Sequence, residues 1–323
     1  MKALLTVLIS LALLGQAEAQ EKIARVGYLT WKDSGPYHEV TTQGFIAGLR
    51  DEGYVEGKNL VIERGSADYD PDRFKVLARD MAAAKVDVFF APATPMATAA
   101  WRANRNTPIV IATILDPVAL DFVKSLARPG TRVTGVTTMN NELTAKRFQL
   151  LKETVPGLKK VGVVVDEAMR DSCTQEVDTF NTAAKTLGLS LVYVHVDKQE
   201  SVDAAFRRLS TSGAQAVVTT LVSTRNGLEK EYAAAALKYG LPSMHEMDYG
   251  ASFGGLISYG PDIADVFRHA GRYVGRILKG GKPAEMPMEE PREFRLTVNL
   301  KTAKALGMTI PQSVLLRADD VIR

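Results

Sequence analysis

From Ile23 to about residue 280, short runs of β-branched and aliphatic residues alternate with longer amphipathic stretches, the pattern of βαβ units and mainly parallel sheets. The spacing predicts strands at 24–29, 60–64, 86–91, 109–113, 161–165, 191–196, 216–221 and 255–258. Helices are predicted over 38–51, 72–84, 95–104, 142–154, 172–187, 201–211, 226–239 and 262–278. The last is the clearest: Ile263, Val266, Phe267, Ala270, Tyr273, Val274, Ile277 and Leu278 form one stripe at helical spacing, and Gly280 and Gly281 end it.

The two halves echo each other. Val26-Gly27 in a strand is followed by a loop, an amphipathic helix and Gly53; Val161-Gly162 is followed by the same elements and Gly188. The two glycine pairs have the same separation. With the matching order of elements this favours two doubly wound α/β lobes with parallel sheets over one nine-stranded domain. Ligand-facing loops then lie at the carboxyl ends of the strands, and a small molecule binds between the lobes.

Composition narrows the partners. The chain has 323 residues with 40 Lys plus Arg against 37 Asp plus Glu, a formal charge of +3. The charges are spread without basic runs, so a nucleic-acid partner is not expected. After residue 20 no apolar run approaches the ~18 residues of a membrane span, so no membrane anchor of its own is expected. One cysteine, Cys173, excludes an internal disulfide, a CxxC redox pair and a thiolate zinc site. Lys2, the apolar stretch over 3–14 and Ala17-Glu18-Ala19 read as a secretory signal peptide cleaved after Ala19. The mature protein is expected to begin at Gln20 and to reside in the periplasm.

The catalytic motifs are incomplete. Gly250-Ala251-Ser252-Phe253-Gly254 matches G-x-S-x-G, but a strand follows where a nucleophile elbow requires a helix, and the only later histidine, His269, follows with no acid element between. His245-Glu246 begins an H-E-x-x-H zinc motif, yet position 249 is Tyr249. No G-x-G-x-x-G follows the first strand, and Gly280-Gly281-Lys282-Pro283 lacks the remainder of a phosphate loop. No cofactor or metal is expected, and the chain reads as a non-enzyme.

What remains is a set of polar and aromatic residues at strand ends. In the first lobe these are Thr30, Trp31, Ser34, Tyr37, Thr94, Thr113 and Asp116; in the second they are Asp166, Thr220, Ser223, His245, Asp248 and Tyr249. Hydroxyls and free N–H groups at helix starts suit a carboxylate, and Asp116, Asp166 or Asp248 suits an ammonium. Taken singly, each residue is equally at home as a helix cap or turn former.

Several segments carry a family resemblance. These are Asp116-Pro117-Val118; Leu126-Ala127-Arg128-Pro129-Gly130 with Val133-Thr134-Gly135-Val136; Leu151-Lys152-Glu153 through Val155-Pro156-Gly157; Ser258-Tyr259-Gly260; and Asn299-Leu300-Lys301-Thr302-Ala303-Lys304-Ala305-Leu306-Gly307 with Ile310-Pro311 and Arg317-Ala318-Asp319. Through them the chain resembles the ABC-transporter substrate-binding proteins that include tryptophan and tyrosine importer components. The resemblance covers nearly all of the mature chain and implies a type I periplasmic-binding fold with three crossovers, near Thr138, Gly260 and Glu290. The lobes would then comprise 20–138 with 262–288, and 139–261 with 289–323. It also implies a monomer that hands a small amino-acid-like or aromatic carboxylate ligand to an ABC permease and, through it, to the ATPase subunit. Asp166-Glu167 stands where many relatives carry Asn-Pro, an acidic change at a cleft-lining position. Two other readings are weighed: a hydrolase using Ser252, and a ligand-sensing subunit for a membrane receptor.

Overall fold

The computed structural model describes residues 23–323 except 115, 138–140, 167–173, 197–200, 220–227 and 292, with backbone only at 141, 142, 166 and 174–176. Strand β1 (Ala24–Thr30) pairs in parallel with β2 (Leu60–Ser66) and β3 (Val88–Phe90), and β4 (Ile109–Ile114) and β5 (Val133–Thr137) extend the sheet to the order β2-β1-β3-β4-β5. A second sheet is built on β6 (Lys160–Asp166), flanked by β7 (Ser190–Val196) and β8 (Ala216–Thr219). It continues through β9 (Ser243–His245), β10 (Ile257–Pro261), β11 (Phe294–Asn299) and β12 (Asp320–Ile322) in the order β12-β11-β10-β9-β8-β6-β7. The winding β2-β1-β3-β4-β5 thus recurs as β7-β6-β8-β9-β10. Only the β10–β11 pair is antiparallel among the described ladders.

The helices are α1 (Pro36–Asp51), α2 (Arg73–Ala83), α3 (Thr94–Ala103), α4 (Asn141–Thr154), α5 (Thr174–Thr186), α6 (Val202–Thr211), α7 (Glu229–Lys238), α8 (Ile263–Leu278), α9 (Leu300–Ala305) and α10 (Gln312–Leu315). The repeated glycines have one physical cause in both lobes. A Cβ on Gly27 would lie 3.0 Å from the Met81 sulfur of α2, and one on Gly162 would lie 2.7 Å from a Leu209 methyl of α6. Gly53 and Gly188, at φ +85° and +67°, turn the chain out of α1 and α5.

Helix α8 follows β10 of the second sheet but packs on the first, against α1, β3, β4 and β5. Its stripe is buried with Phe45 and Phe90, whose rings stack at 4.1 Å. The chain returns after Met288, which is buried in the first lobe. Glu289 bridges Val136, its N–H donating to the Gly135 carbonyl, and then β11 joins the second sheet. The two sheets are therefore linked by three passages of the chain, after β5, after β10 and before β11.

Four strands lie outside the sequence expectation: β5, β9, β11 and β12. The expected strand at 255–258 begins instead at Ile257, because Gly254 turns at φ +105° and Gly255 lies flat beneath the His245 ring, where a Cβ would sit 2.2 Å from Nε2. Residues 220–221 of the strand expected at 216–221 fall outside the described residues.

Candidate functional site

At the carboxyl end of β1, Thr30 is buried and its Oγ1 donates to the Lys32 carbonyl at 2.9 Å. The Trp31 ring turns into the first-lobe core, edge-on to Phe74 at 5.0 Å. Exposed Ser34 leads into α1, whose start at Gly35-Pro36 carries no side-chain cap, and α3 begins at Thr94-Pro95 equally uncapped. Ser201, Asp262 and Asn299 do cap α6, α8 and α9. The uncapped starts leave first-turn donors and the positive end of each helix dipole directed beyond the strand ends, where they suit an anionic group. Thr113 is buried and fixes the loop before α3, its Oγ1 and N–H both donating to the Pro92 carbonyl, at 3.1 and 2.8 Å. After β2, Asp68 and Tyr69 adopt φ +48° and +62°. For side-chain-bearing residues this is a strained conformation of the kind that concentrates at ligand sites.

In the second lobe, His245 is a satisfied core residue. Its Nδ1 lies 2.8 Å from Thr219 Oγ1, its Nε2 lies 3.0 Å from Ser243 Oγ, and Gly250 and Gly255 close over the ring. Burial lowers its pKa to about 4, so the ring is neutral at pH 7. The next four residues reach toward the first lobe. Glu246 is buried 3.4 Å from Arg147 of α4, and Met247 sits in the first-lobe apolar cluster with Ile263 and Phe267. The Oδ1 of Asp248 is buried without a hydrogen-bond partner. Burial, reinforced by the nearby Asp262 carboxylate, raises the Asp248 pKa to about 6, and the Tyr249 and Ile263 backbone groups lower it only in part.

Tyr249 completes the segment. Its ring centroid is 6.1 Å from that of Tyr37 in the first turn of α1 and 5.2 Å from Phe253, and Tyr37 stands edge-on to Phe267. Burial raises both phenols well above the ordinary tyrosine value, and the Glu229 and Glu246 carboxylates push both higher. Two aromatic rings within the influence of the Glu229 and Glu246 carboxylates, one of them in the first turn of the uncapped α1, make a chemistry suited to a zwitterion carrying an aromatic side chain.

Of the residues expected from sequence, Tyr37 and Tyr249 are brought together directly, and Thr30 and Thr113 hold the loops of the first-lobe edge. Asp116 is occupied as a turn cap, its Oδ1 accepting from the N–H groups of Val118 and Ala119 at 3.0 and 2.9 Å. Asp166 ends β6; its side chain, Thr220 and Ser223 lie outside the described residues. Sequence reasoning passed over Glu229 and Arg147, and met Glu246 only beside His245 in the incomplete zinc motif and strand-end stretch. Glu229 had a usable signal, an acidic residue in the first turn of a helix that follows a strand; Arg147 had none. Ser252 is exposed within a 3-10 turn, and His269 is engaged with Glu289 at 2.7 Å. Among the described residues no three His, Cys, Asp or Glu side chains are grouped to hold a metal ion, and no helix is long and apolar enough to cross a membrane.

Comparison with known proteins points the same way. The model of a family described as ABC transporter substrate binding protein matches residues 33–322. A curated tyrosine-binding protein of Clostridioides difficile (strain R20291) is 29% identical over 276 residues, covering 84% of this chain and 78% of the relative. The crystal structure of an ABC domain from Streptococcus pneumonia in complex with L-Trp is 27% identical and superposes with a TM-score of 0.83, covering 93% of this chain and 99% of that one. A ligand-free, open substrate binding protein from Clostridium difficile, 25% identical and with the same coverage, superposes with a TM-score of 0.66.

Proposed function

The chain belongs to the ABC transporter substrate-binding protein family, and from that premise we propose that it captures an aromatic amino acid between its lobes for delivery to an ABC permease and its ATPase. The observation that carries the ligand class is the Tyr37–Tyr249 pair, set across the two lobes beside Glu229 and Glu246. The carboxylate of the ligand binds toward Ser34, Thr94 and the uncapped starts of α1 and α3. Its ammonium binds toward Glu229, with Asp166, Thr220 and Ser223 kept as further candidate contacts from the sequence. The relatives that bind tyrosine and L-Trp support this class. The better superposition on the L-Trp complex than on the open relative, at nearly equal identity, supports lobes standing in the closed arrangement.

The lobes comprise 20–138 with 262–288, and 139–261 with 289–323. In this reading the chain is exported, loses residues 1–19 after Ala19, and works in the periplasm as a monomer without catalysis. Calorimetry with L-tryptophan, L-tyrosine, tryptamine and indole-3-propionate tests the ligand class. The two amino acids should bind at least ~10-fold more tightly than either analogue, since each analogue leaves one charged group of the site without its counterpart. Indole-3-propionate binding as tightly as tryptophan would remove the ammonium from the proposal.

A further inference from the structure

The segment 246–249 follows β9 of the second sheet yet is seated in the first lobe, through Met247 in its apolar cluster and Tyr249 against Tyr37. What fixes its other end is a buried ion pair. Arg147 and Glu246 are 1% and 3% exposed, and Arg147 Nη1 lies 3.4 Å from Glu246 Oε1. Arg147 stands on α4, the helix by which the chain first enters the second lobe. Its Nε donates at 2.8 Å to the carbonyl of Tyr259 in β10, the strand by which the chain leaves again. Between these contacts Gly260 is pressed against the Glu246 backbone so closely that a Cβ would lie 1.8 Å from the Glu246 carbonyl oxygen. One guanidinium therefore joins the helix after the first passage, the strand before the second, and the root of the segment that carries Tyr249.

We propose that Arg147 is a positioning residue for ligand binding: by tying Glu246 to Tyr259 at the hinge, it holds Tyr249 opposite Tyr37 and favours the closed arrangement of the lobes. It touches no ligand. The pair has no evident need to exist for stability, since two buried charges cost desolvation that well-packed apolar side chains of similar volume avoid. The guanidinium is matched to the task, because its fork can serve a carboxylate and a carbonyl at once, whereas an ammonium is a point charge. A ligand that contacts both lobes binds the closed form more tightly, so a residue that raises the population of that form raises apparent affinity. The effect falls mainly on the rate of ligand release.

The inference rests on the two-lobe binding reading above, and its test separates the two. The double variant Arg147→Met/Glu246→Leu removes both charges and so avoids the unpaired buried ion of either single change. Arg147→Lys keeps a cation beside Glu246 but cannot also reach the Tyr259 carbonyl, and it serves if the double variant does not fold. With L-tryptophan and L-tyrosine as probes, the folded variant should show a dissociation constant raised at least ~10-fold, carried by faster release with little change in association. Small-angle scattering of the ligand-free variant should give a larger radius of gyration than the wild type. A folded variant with wild-type release rate and wild-type radius overturns the inference. If the wild type binds neither amino acid, the ligand class falls, and the radius of the ligand-free variant alone decides the role of Arg147.

Discussion

Tyr37 and Tyr249 come from opposite lobes, yet their ring centroids are 6.1 Å apart at an interplanar angle of 59°. Each is also held on its own side, Tyr37 by Phe267 and Tyr249 by Phe253. Rings supported in this way are pre-oriented and lose little side-chain entropy when a third ring is seated beside them.

Tyr37→Ala should therefore raise the dissociation constant for an aromatic amino acid by roughly 10-fold, about 1.4 kcal/mol, while Tyr37→Phe keeps most of the affinity. Titration calorimetry on both variants checks this. Wild-type affinity in the alanine variant would move the ligand away from this pair.

A second expectation concerns the frame beneath the site. Helices α1 and α8 cross in backbone contact: a Cβ on Gly48 would lie 1.9 Å from the Arg268 carbonyl oxygen, and one on Gly271 would lie 2.3 Å from that of Phe45. No flexible side chain stands there to yield. Gly48→Ala should cost roughly 3 kcal/mol or more of folding stability, the upper range for overpacking, read from urea unfolding. An alanine variant as stable as the wild type would show that the helices separate at little cost.

The same helix pair shows what was legible in the chain. The α8 stripe follows from periodicity, and Gly53 and Gly188 from turns at positive φ, both local properties that could be read directly. Gly27 and Gly162 instead answer to Met81 and Leu209 across the packing, and only their repetition was legible. Strand β5, Val-Thr-Gly-Val-Thr, is diluted by Gly135 at φ +134°, and β9 has three residues, too few to show a period. The antiparallel pairing of β11 with β10 depends on where the chain returns after Glu289, which no local pattern states. At the site, residue types at strand ends were readable but side-chain directions were not. Trp31 and Ser34 are near neighbours in one loop, yet Trp31 packs inward and Ser34 is exposed. Arg147 and Glu246 meet only through the tertiary fold, so neither signals the other.

Two neighbouring buried groups make opposed contributions to the pH dependence of stability. Asp248 has a folded pKa of about 6 against 3.8 in the unfolded chain, so the folded state binds its proton more readily. Its contribution is fully present below pH 3.8 and is lost as pH rises through 6. His245 has a folded pKa of about 4 against 6.5, so the folded state resists protonation, and its contribution is present above pH 6.5 and lost as pH falls toward 4. Each is worth up to about 3 kcal/mol from its shift, and the two largely offset between pH 4 and 6. Asp248→Asn removes one side of the balance. The variant should be more stable than the wild type at pH 7 and should lose stability more steeply as pH falls below 6.5. Parallel pH profiles of melting temperature in both proteins would refute the assignment.

The final expectation separates a carboxylate that meets the ligand from one that holds a turn. Asp116 is engaged by the N–H groups of Val118 and Ala119, and an asparagine oxygen can accept the same two bonds. Asp116→Asn should therefore leave both stability and ligand affinity near wild type. Glu229 is different: it stands in the first turn of α7, and its charge reaches both Tyr37 and Tyr249. A charge-assisted hydrogen bond to a ligand ammonium is worth ~1.5–3 kcal/mol, so Glu229→Gln should weaken binding of L-tryptophan roughly 10- to 100-fold. The competing role, an acidic residue favouring the helix start, is worth ~0.3–1 kcal/mol of stability and moves the melting temperature, not the ligand preference. Indole-3-propionate makes the distinction, because it lacks the ammonium. Glu229→Gln should bind it at least as well as the wild type does, while tryptophan binding falls. Equal losses for both ligands would mean that the side chain supports the helix, and the ammonium would then have to be assigned elsewhere on the second-lobe wall.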